Sequence, residues 1–465
     1  MLTLIARKDI REFIRDGRLV WAGGLVFVLL LTAITLGWQH QSTLQSERIA
    51  GQALDYDAWL NQGERHPHNA ADQGMHVFKP QPPLSILDPG IDPFVGSTIW
   101  LQAHRQSETK FRPAQDATGL KRFGDLSPAW LLQVLAPLLI IILGFNAFAT
   151  EREQGTLRQL LSLGVTGRKL LWGKALALAA ALGVLLLPGA VIGIGAVLSG
   201  SGQGATGDVL ARLSLLGGAY GLYLAAFIFL VLAVSALCSR ARTALFILLS
   251  VWICTVLIAP RTIADLADKA YPSPTRLGFE SALSSDLGTA SDTAWADNFN
   301  VSQAWDPTLP LNQWGRALQV DDRSGYGVLD DHFGELWDTF ERQQKLQEVV
   351  GIVAPVVSLR AFSMAAAGTD FSHHRHFSEA AERQRRLLQE LVSDDLIHNA
   401  DTLGDRHFSY KAGPEFWASF PRFEYSAPSV SFALREHWPG LTVLVLALIA
   451  SIVFARFAVS RRLAV

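Results

Sequence analysis

Residues 129–198 decide the fold, and they read in three parts as AWLLQVLAPLLIIILGFNAFA, TEREQGTLRQLLSLGVTGRK and LLWGKALALAAALGVLLLPGAVIGIGAVL. The first part (129–149) and the third part (170–198) are apolar runs, and each reaches the length of about 20 residues that a helix needs to cross a membrane. The middle part (150–169) is charged and too short to be a domain. Two spans joined by a charged hairpin indicate a polytopic membrane protein.

The composition of the whole chain agrees with this class. Hydrophobic residues make up 49% and charged residues 18% of the 465 residues, whereas soluble domains carry about 25% charged residues. The mean hydropathy is +0.23. The 40 Lys and Arg residues nearly balance the 42 Asp and Glu residues, so no nucleic-acid partner is implied.

Six segments are apolar and long enough to be spans: 19–38, 129–149, 170–198, 213–237, 243–259 and 438–458. We expect the first to be an uncleaved anchor, because its apolar run is too long for a signal peptide and no small-x-small cleavage site follows it. The predicted fold class is therefore an α-helical polytopic membrane protein with six transmembrane helices.

Basic residues give the predicted orientation. They cluster before the first span, in the 150–169 hairpin, after the fourth span and after the sixth span, which by the positive-inside rule places both termini in the cytoplasm. Pro355 and Arg360 interrupt a seventh apolar stretch, 351–367, so we interpret it as an interfacial or buried helix. The predicted divisions, in chain order, are an interfacial helix (1–18), the first span (19–38), an outer segment (39–128) and the second span (129–149). A cytoplasmic coupling helix (150–169), spans three to five (170–259), a large outer domain (260–437) and the sixth span with its basic tail (438–465) follow.

The two outer segments contain no cysteine, since Cys238 and Cys254 lie in or beside spans. Packing alone, between the segments or with a partner, must therefore stabilise them. Residues 260–330 are rich in turn-forming sequences such as YPSP, WDPTLP and DDRSGYG. Helical periodicity starts at Asp331 and recurs over 378–397, so we expect a mostly α domain, with loops and short strands in 39–128.

Two motifs restrict the chemistry. The sequence GRKLLWGKA (167–175) differs from a phosphate-binding loop, because five residues separate its glycines and Ala175 follows the lysine. The spans contain few polar groups (Gln133, Asn146 and Ser235 among them), and their one lysine, Lys174, lies at a span end. This pattern argues against ATP binding by this chain and against a proton-driven or sodium-driven transporter. The pairs Gly189/Gly193 and Gly217/Gly221 are spaced for close helix packing.

Three histidines, His373, His374 and His376, lie close to Asp370. Clustered imidazoles with a carboxylate suit a zinc site. On a helix, however, His373 and His376 share a face and His374 points elsewhere. We favour a packing role and no metal, with metal binding as the alternative.

The N-terminal residues 2–14 have apolar residues at helical spacing with basic residues between them. This pattern predicts an amphipathic helix in the inner interface, although an orientation signal alone is the simpler alternative. In the 150–169 hairpin, Glu151 and Glu153 suit the start of a helix. Leu157, Leu160 and Leu161 give that helix an apolar face for docking into a groove of a soluble partner.

Two stretches resemble the membrane subunits of ABC-2-type transporters: EREQGTLRQLLS (151–162) and KDIREFIRDGR (8–18). In that family a coupling helix between the second and third spans contacts the ATPase. The resemblance implies a coupling role here, in which we expect Leu157 to occupy the partner's groove, Glu153 to pair with a basic residue and Gly155 to allow close approach. The residues assigned to coupling are Glu151, Arg152, Glu153, Gly155, Thr156, Leu157, Leu160 and Leu161.

A third stretch, PVVSLRAFSMAAAGTDFSHHRHFSEAAERQRR (355–386), resembles a branch of that family whose members have a large outer domain of unknown function between the fifth and sixth spans. Because the histidine run belongs to a family pattern without known chemistry, the resemblance favours a structural role for it.

The resemblance implies a non-catalytic permease subunit of the bacterial inner membrane that exports or extracts a substrate. The chain itself would bind no cofactor, and ATP and Mg would bind to a separate cytoplasmic ABC ATPase. Membrane lipid would surround the spans, and a second permease, identical or related, would complete a dimer. The resemblance leaves open whether another partner binds on the outer side. The alternatives are a mechanotransmitter that moves an outer domain without transport, and a membrane-anchored metal-dependent hydrolase that uses the histidines.

Overall fold

The structure is a computed structural model that describes residues 1–110, 112, 126–200 and 206–463, apart from the side chains of 462 and 463. The rest of the predicted outer segment 39–128 and the last two residues of the basic tail lie outside the described residues. Among the described residues, six helical segments are long and apolar enough to cross a membrane, which confirms the predicted number of spans. They are Leu19–Leu60, Pro128–Glu153, Gly167–Ser199, Thr206–Leu237, Ala241–Ala270 and Val430–Arg461.

Most of the described chain is helical. The α-helices are α1 (Leu2–Arg15), α2 (Gly24–Leu60), α3 (Pro67–Gln73), α4 (Asp92–Val95), α5 (Pro128–Trp130), α6 (Ala136–Gly144), α7 (Ala149–Glu153), α8 (Thr156–Ser162), α9 (Gly167–Ser199), α10 (Thr206–Leu237), α11 (Ala241–Trp252), α12 (Ala259–Ala270), α13 (Arg276–Phe299), α14 (Trp314–Val350), α15 (Pro355–Ala367), α16 (Phe371–Asp395), α17 (Pro414–Ala418) and α18 (Val430–Leu463). Short π-helices cover Leu19–Gly23, Leu131–Leu135, Ile253–Ile258 and Leu396–Ala400, and 3-10 helices cover Pro83–Ile86, Leu311–Gln313 and Asp401–Ser409.

The described sheet consists of two antiparallel strands, β1 (Met75–Phe78) and β2 (Thr98–Leu101), with Met75 opposite Leu101 and Phe78 opposite Thr98. Short strands were expected in this segment, and they are present. The expectation of loops is wrong for residues 39–60, because the helix of the first span continues to Leu60. Only Trp59 is buried in that extension, so the extension has no strong apolar periodicity.

Helix α10 is the most buried of the six spans, and α6, α9, α11 and α18 pack against it. The first span packs against α9. Helix α15 packs against α10 and α18, and most of its residues are buried. Its 13 residues extend about 20 Å, which is less than the bilayer core of about 30 Å. The stretch 351–367 therefore contains a buried helix and no seventh span, as predicted.

One of the two predicted glycine contacts is made within the chain. A Cβ atom at Gly189 would lie 2.6 Å from Leu30, and one at Gly193 would lie 3.2 Å from Leu87, so both glycines allow close packing of α9. Gly217 and Gly221 have no such neighbour within 4 Å among the described residues.

The two long segments between spans form one domain, which we call the large domain (39–110, 112, 126–127 and 260–429). Its core draws apolar residues from both segments. The indole of Trp59 donates to the carbonyl of Trp417 over 3.1 Å, and Arg65 forms a β-bridge with Ala412. Packing between the segments, one of the two predicted options, therefore stabilises a mostly α-helical domain.

Helix positions in the large domain differ in part from the prediction. The predicted turn at DDRSGYG lies inside α14, which begins at Trp314 and not at Asp331. A Cβ atom at Gly325 would lie 3.1 Å from Leu287 of α13, so the glycine permits close helix packing instead of breaking the helix. The helix predicted over 378–397 is present as α16, Phe371–Asp395.

Candidate coupling site

The 150–169 hairpin folds as two short helices. Helix α7 ends at Glu153, Gly155 adopts a left-handed conformation with φ +74°, and α8 follows. A non-glycine residue would be strained at that φ. The coupling element over 150–169 was predicted to contain one helix, and that prediction is wrong because the chain turns at Gly155. A second left-handed glycine, Gly164, ends α8, and the Thr166 hydroxyl accepts from the Lys169 N–H at the start of α9.

A buried ion cluster connects the hairpin to two other helices. The Glu151 carboxylate lies 2.7 Å from the ammonium of Lys8 and 3.0 Å from that of Lys174. Lys174 is also 3.3 Å from Asp9. Lys174, Asp9 and Glu151 are all buried. Burial raises the pKa of Asp9, and the nearby lysines only partly oppose the shift.

Hydrogen bonds also attach the same hairpin to the C-terminal end of α10. The Arg152 guanidinium donates to the carbonyls of Ala236 and Cys238 over 2.8 and 2.7 Å. The Ser235 hydroxyl accepts from the backbone N–H of Phe148 over 3.0 Å. Ser235 was predicted only as a polar group inside a span, and its contact shows that it orients the start of the hairpin.

The N-terminal helix also contacts this region. Helix α1 forms as predicted, and its Ala6 and Phe13 are buried. Part of its apolar face lies on α9, where a Cβ atom at Gly173 would be 2.8 Å from Ile5. Arg18, just after α1, donates to the Asn146 side chain over 2.9 Å. The N-terminal segment therefore packs on the chain and is more than an orientation signal.

Exposure divides the predicted coupling residues into two groups. Leu157 is 4% exposed in the core that the spans share, and Leu160 and Leu161 pack against that core. The role we expected for Leu157 in a partner's groove is therefore wrong, because its side chain already contacts this chain. Of the assigned residues Glu151, Arg152, Glu153, Gly155, Thr156, Leu157, Leu160 and Leu161, Glu153 alone is fully exposed.

The surface of the hairpin is formed instead by Glu153, Gln154, Arg158, Gln159 and Leu163, which we call the hairpin tip. Leu163 is 77% exposed. It was missed because the apolar face of the helix was assigned from Leu157, Leu160 and Leu161 alone. The sequence signal that could have identified Leu163 as exposed was its position before Gly164, in a charged turn between two spans.

The stretch 167–175 that resembles a phosphate-binding loop is the first part of α9. Its backbone N–H groups beyond the first turn take part in helix hydrogen bonds, so they cannot surround a phosphate.

The three histidines of α16 bond to different partners. His373 shares a short hydrogen bond with Asp370, His374 lies 3.3 Å from the Thr109 hydroxyl, and His376 lies 3.1 Å from the Tyr425 hydroxyl. The rings of His373 and His376 both contact Phe432, which confirms that these two share a face. The arrangement supports a packing role.

Asp370 belongs to a longer buried network. Its second oxygen lies 2.8 Å from His437, whose other ring nitrogen lies 2.6 Å from Glu348. Burial opposes ionisation of Asp370, but the contacts with His373 and His437 hold its pKa well below the ordinary value. The network joins α14, α16 and the kinked start of α18, where Pro439 lies inside the helix. It therefore connects the large domain to the sixth span.

Comparison with known proteins identifies the family. Residues 3–455 match the family described as ABC-2 family transporter protein. No curated protein matches the chain. The family match covers the six spans, the hairpin and the large domain together, so the chain belongs to the ABC-2 transporter family and is a multi-pass membrane subunit, a permease, of an ABC transporter.

Proposed function

We propose that the hairpin tip is the surface through which a cytoplasmic ABC ATPase drives this permease. The ATPase binds ATP and Mg, and its nucleotide-dependent movement pulls the hairpin. The pull reaches the spans on either side of it and moves a substrate out of the cytoplasm or out of the membrane. The complex lies in a bacterial inner membrane and contains a second permease, identical or related.

The observation that carries this proposal is the contrast between the base and the tip of the hairpin. The base is bonded to α1 and α9 through Lys8 and Lys174 and to α10 through Arg152. The tip is exposed and combines opposite charges, Glu153 and Arg158, with one large apolar side chain, Leu163. A force on the tip is therefore passed to several helices, while the tip offers the charged and apolar groups that partner surfaces use.

The first test replaces Leu163 with Asp. A charge at an apolar interface contact is expected to cost at least about 2 kcal/mol of binding, which is about 30-fold in affinity. The variant should insert normally, since Leu163 is exposed, but it should not co-purify with the ATPase or stimulate ATP hydrolysis in proteoliposomes.

The matched control is Leu277→Asp in α13, because Leu277 is 78% exposed and lies in the large domain. It should leave assembly and ATPase stimulation unchanged. If Leu163→Asp combined with Glu153→Lys also leaves both unchanged, the hairpin tip is not the docking surface.

A mechanotransmitter is the second candidate function, and the first span favours it. That helix runs without interruption from Leu19 to Leu60, and Trp59 near its end packs in the core of the large domain. Movement of the span would therefore reach the large domain directly. ATP-driven movement of the large domain without substrate flux in proteoliposomes would favour this candidate over transport.

A further inference from the structure

A cluster of metal-binding side chains lies in the large domain, away from the histidine run of α16. His68 and Asp72 come from α3, and His104 follows β2. Nε2 of His68 lies 3.6 Å from one Asp72 oxygen, and Nε2 of His104 lies 3.3 Å from the other. One ligand atom from each residue lies within 4.8 Å of the other two.

These separations suit a single transition-metal ion. Zinc binds imidazole nitrogen and carboxylate oxygen at about 2.0–2.2 Å with tetrahedral geometry, which places neighbouring ligand atoms about 3.3 Å apart. His68 and Asp72 are four residues apart on one helix, so they lie on the same face. Small rotations of the two imidazole rings would complete the geometry.

A fourth side chain orients one of the ligands. The Asp322 carboxylate of α14 lies 3.6 Å from Nδ1 of His104, and its side chain is 7% exposed. This leaves Nε2 of His104 directed toward Asp72. A carboxylate behind the second nitrogen of a histidine is the usual support for a metal-binding imidazole. The ring of His68 is held by an edge contact with Trp314, at 4.8 Å between centroids.

We propose that His68, Asp72 and His104 bind a divalent transition metal of the zinc class, with Asp322 as the positioning residue. Two imidazoles and one carboxylate favour zinc over calcium or magnesium, which prefer oxygen ligands. Water would complete the four ligands. The three ligands come from the first segment of the large domain, so the metal joins α3 to the chain after β2. The second segment contributes only Asp322, behind His104.

This connection would supply a cross-link that the domain otherwise lacks in its described part. Both cysteines, Cys238 and Cys254, lie elsewhere in the chain. A link between residues that are apart in sequence limits the freedom of the chain. The metal would thus hold α3 on the chain after β2, beside the Asp322 carboxylate of the second segment.

The test is zinc content of the purified full-length protein, with any affinity tag removed, after EDTA treatment and dialysis against buffered Zn²⁺. The wild type is expected to hold about one zinc per chain, and His68→Ala/His104→Ala is expected to lose it. Asp322→Asn should weaken zinc affinity by about 10–100-fold. Co²⁺ added to the wild type should give the visible absorption of four-coordinate cobalt, which zinc then abolishes.

Two control variants localise the site. His332→Ala removes a histidine that lies 2.8 Å from a single carboxylate, Asp286, in the same domain, and it should keep the zinc. His373→Ala should keep it as well. A wild type without zinc or a cobalt spectrum, or zinc retained by His68→Ala/His104→Ala and lost in His373→Ala, overturns the proposal. If the double variant does not fold, the zinc affinity of Asp322→Asn and the cobalt spectrum of the wild type test the proposal in its place.

Discussion

His374 shows how strongly the large domain controls a single side chain. Its ring is buried and faces the Thr109 hydroxyl. Burial, together with the positive charges of Lys79 and Arg112, lowers the pKa of His374 from 6.5 to about 3. The ring is therefore neutral in the folded protein at any pH at which the protein is handled, whereas the same ring in an unfolded chain is protonated below pH 6.5.

This difference predicts a loss of stability in acid. As the pH falls from about 6.5 toward 3, the unfolded chain takes up a proton at His374 that the folded chain does not. The free energy of unfolding should therefore fall by up to about 1.4 kcal/mol per pH unit from this residue. In His374→Gln, which keeps an acceptor for Thr109, melting temperatures between pH 7 and pH 4.5 should fall less steeply than in the wild type. Equal slopes in the two proteins would refute the assignment.

At the residue scale, the sequence predicted types of contact better than partners. It placed His373 and His376 on one face, because helical spacing determines faces. It missed His68, Asp72 and His104, because their proximity depends on how α3 packs beside the chain after β2. The sequence analysis also predicted that Leu157 contacts a partner, because the sequence of an apolar helix face does not show whether the face packs against its own chain or against another chain.

At the scale of elements, the ion cluster around Lys174 joins α1, α7 and α9. Lys174 is 2% exposed and contacts both Asp9 and Glu151. The pair Lys8–Glu151 lies at its more exposed edge. Removing the central cation would leave two buried carboxylates with one peripheral lysine, and a buried charge that loses its partner is strongly destabilising.

We therefore expect Lys174→Met to lower the free energy of unfolding by about 3–5 kcal/mol and to release α1 from the hairpin. Melting temperature and protease cleavage at Arg7 and Arg11 measure the two effects. Lys169→Met, an exposed lysine at the other end of the hairpin, should change neither. If Lys174→Met has the same melting temperature as Lys169→Met, the cluster does not hold these helices together.

The sequence predicted the apolar elements well and the polar ones poorly. All six spans were found, because a run of apolar residues has few alternatives in a membrane. The extension of α2 to Leu60 and the start of α14 at Trp314 were missed. Residues 39–60 of α2 and 314–330 of α14 are mainly polar. Contacts with distant parts of the chain stabilise such helical stretches, and these contacts leave little local periodicity.

On the scale of the whole molecule, the spans and the large domain are one continuous structure. The network of Asp370, His437 and Glu348 connects the domain to α18, and the helix of the first span enters it directly. Six crossings of the membrane would put both termini and the hairpin tip on one side and the large domain on the other. Basic residues predict that the first side is cytoplasmic.

Cysteine labelling in intact cells tests this orientation. In a background with Cys238 and Cys254 replaced by Ser, a cysteine at Ser285, exposed in α13, should react with a membrane-impermeant maleimide. A cysteine at Ser162, exposed at the end of α8, should react only after the membrane is permeabilised. The reverse pattern would invert the topology and rule out a cytoplasmic partner at the hairpin tip.

The continuous helix of the first span extends beyond the membrane into the large domain, so a tilt of the span displaces the far end of the helix. Its 42 residues measure about 63 Å at 1.5 Å per residue, and the bilayer core takes up about 30 Å of that length. The remaining arm of about 30 Å turns a tilt of about 5° at the membrane into a displacement of about 3 Å at its end. Trp59 lies near that end and packs on Trp417 and Phe420. A small rotation of the first span would therefore displace these aromatic side chains in the core of the large domain.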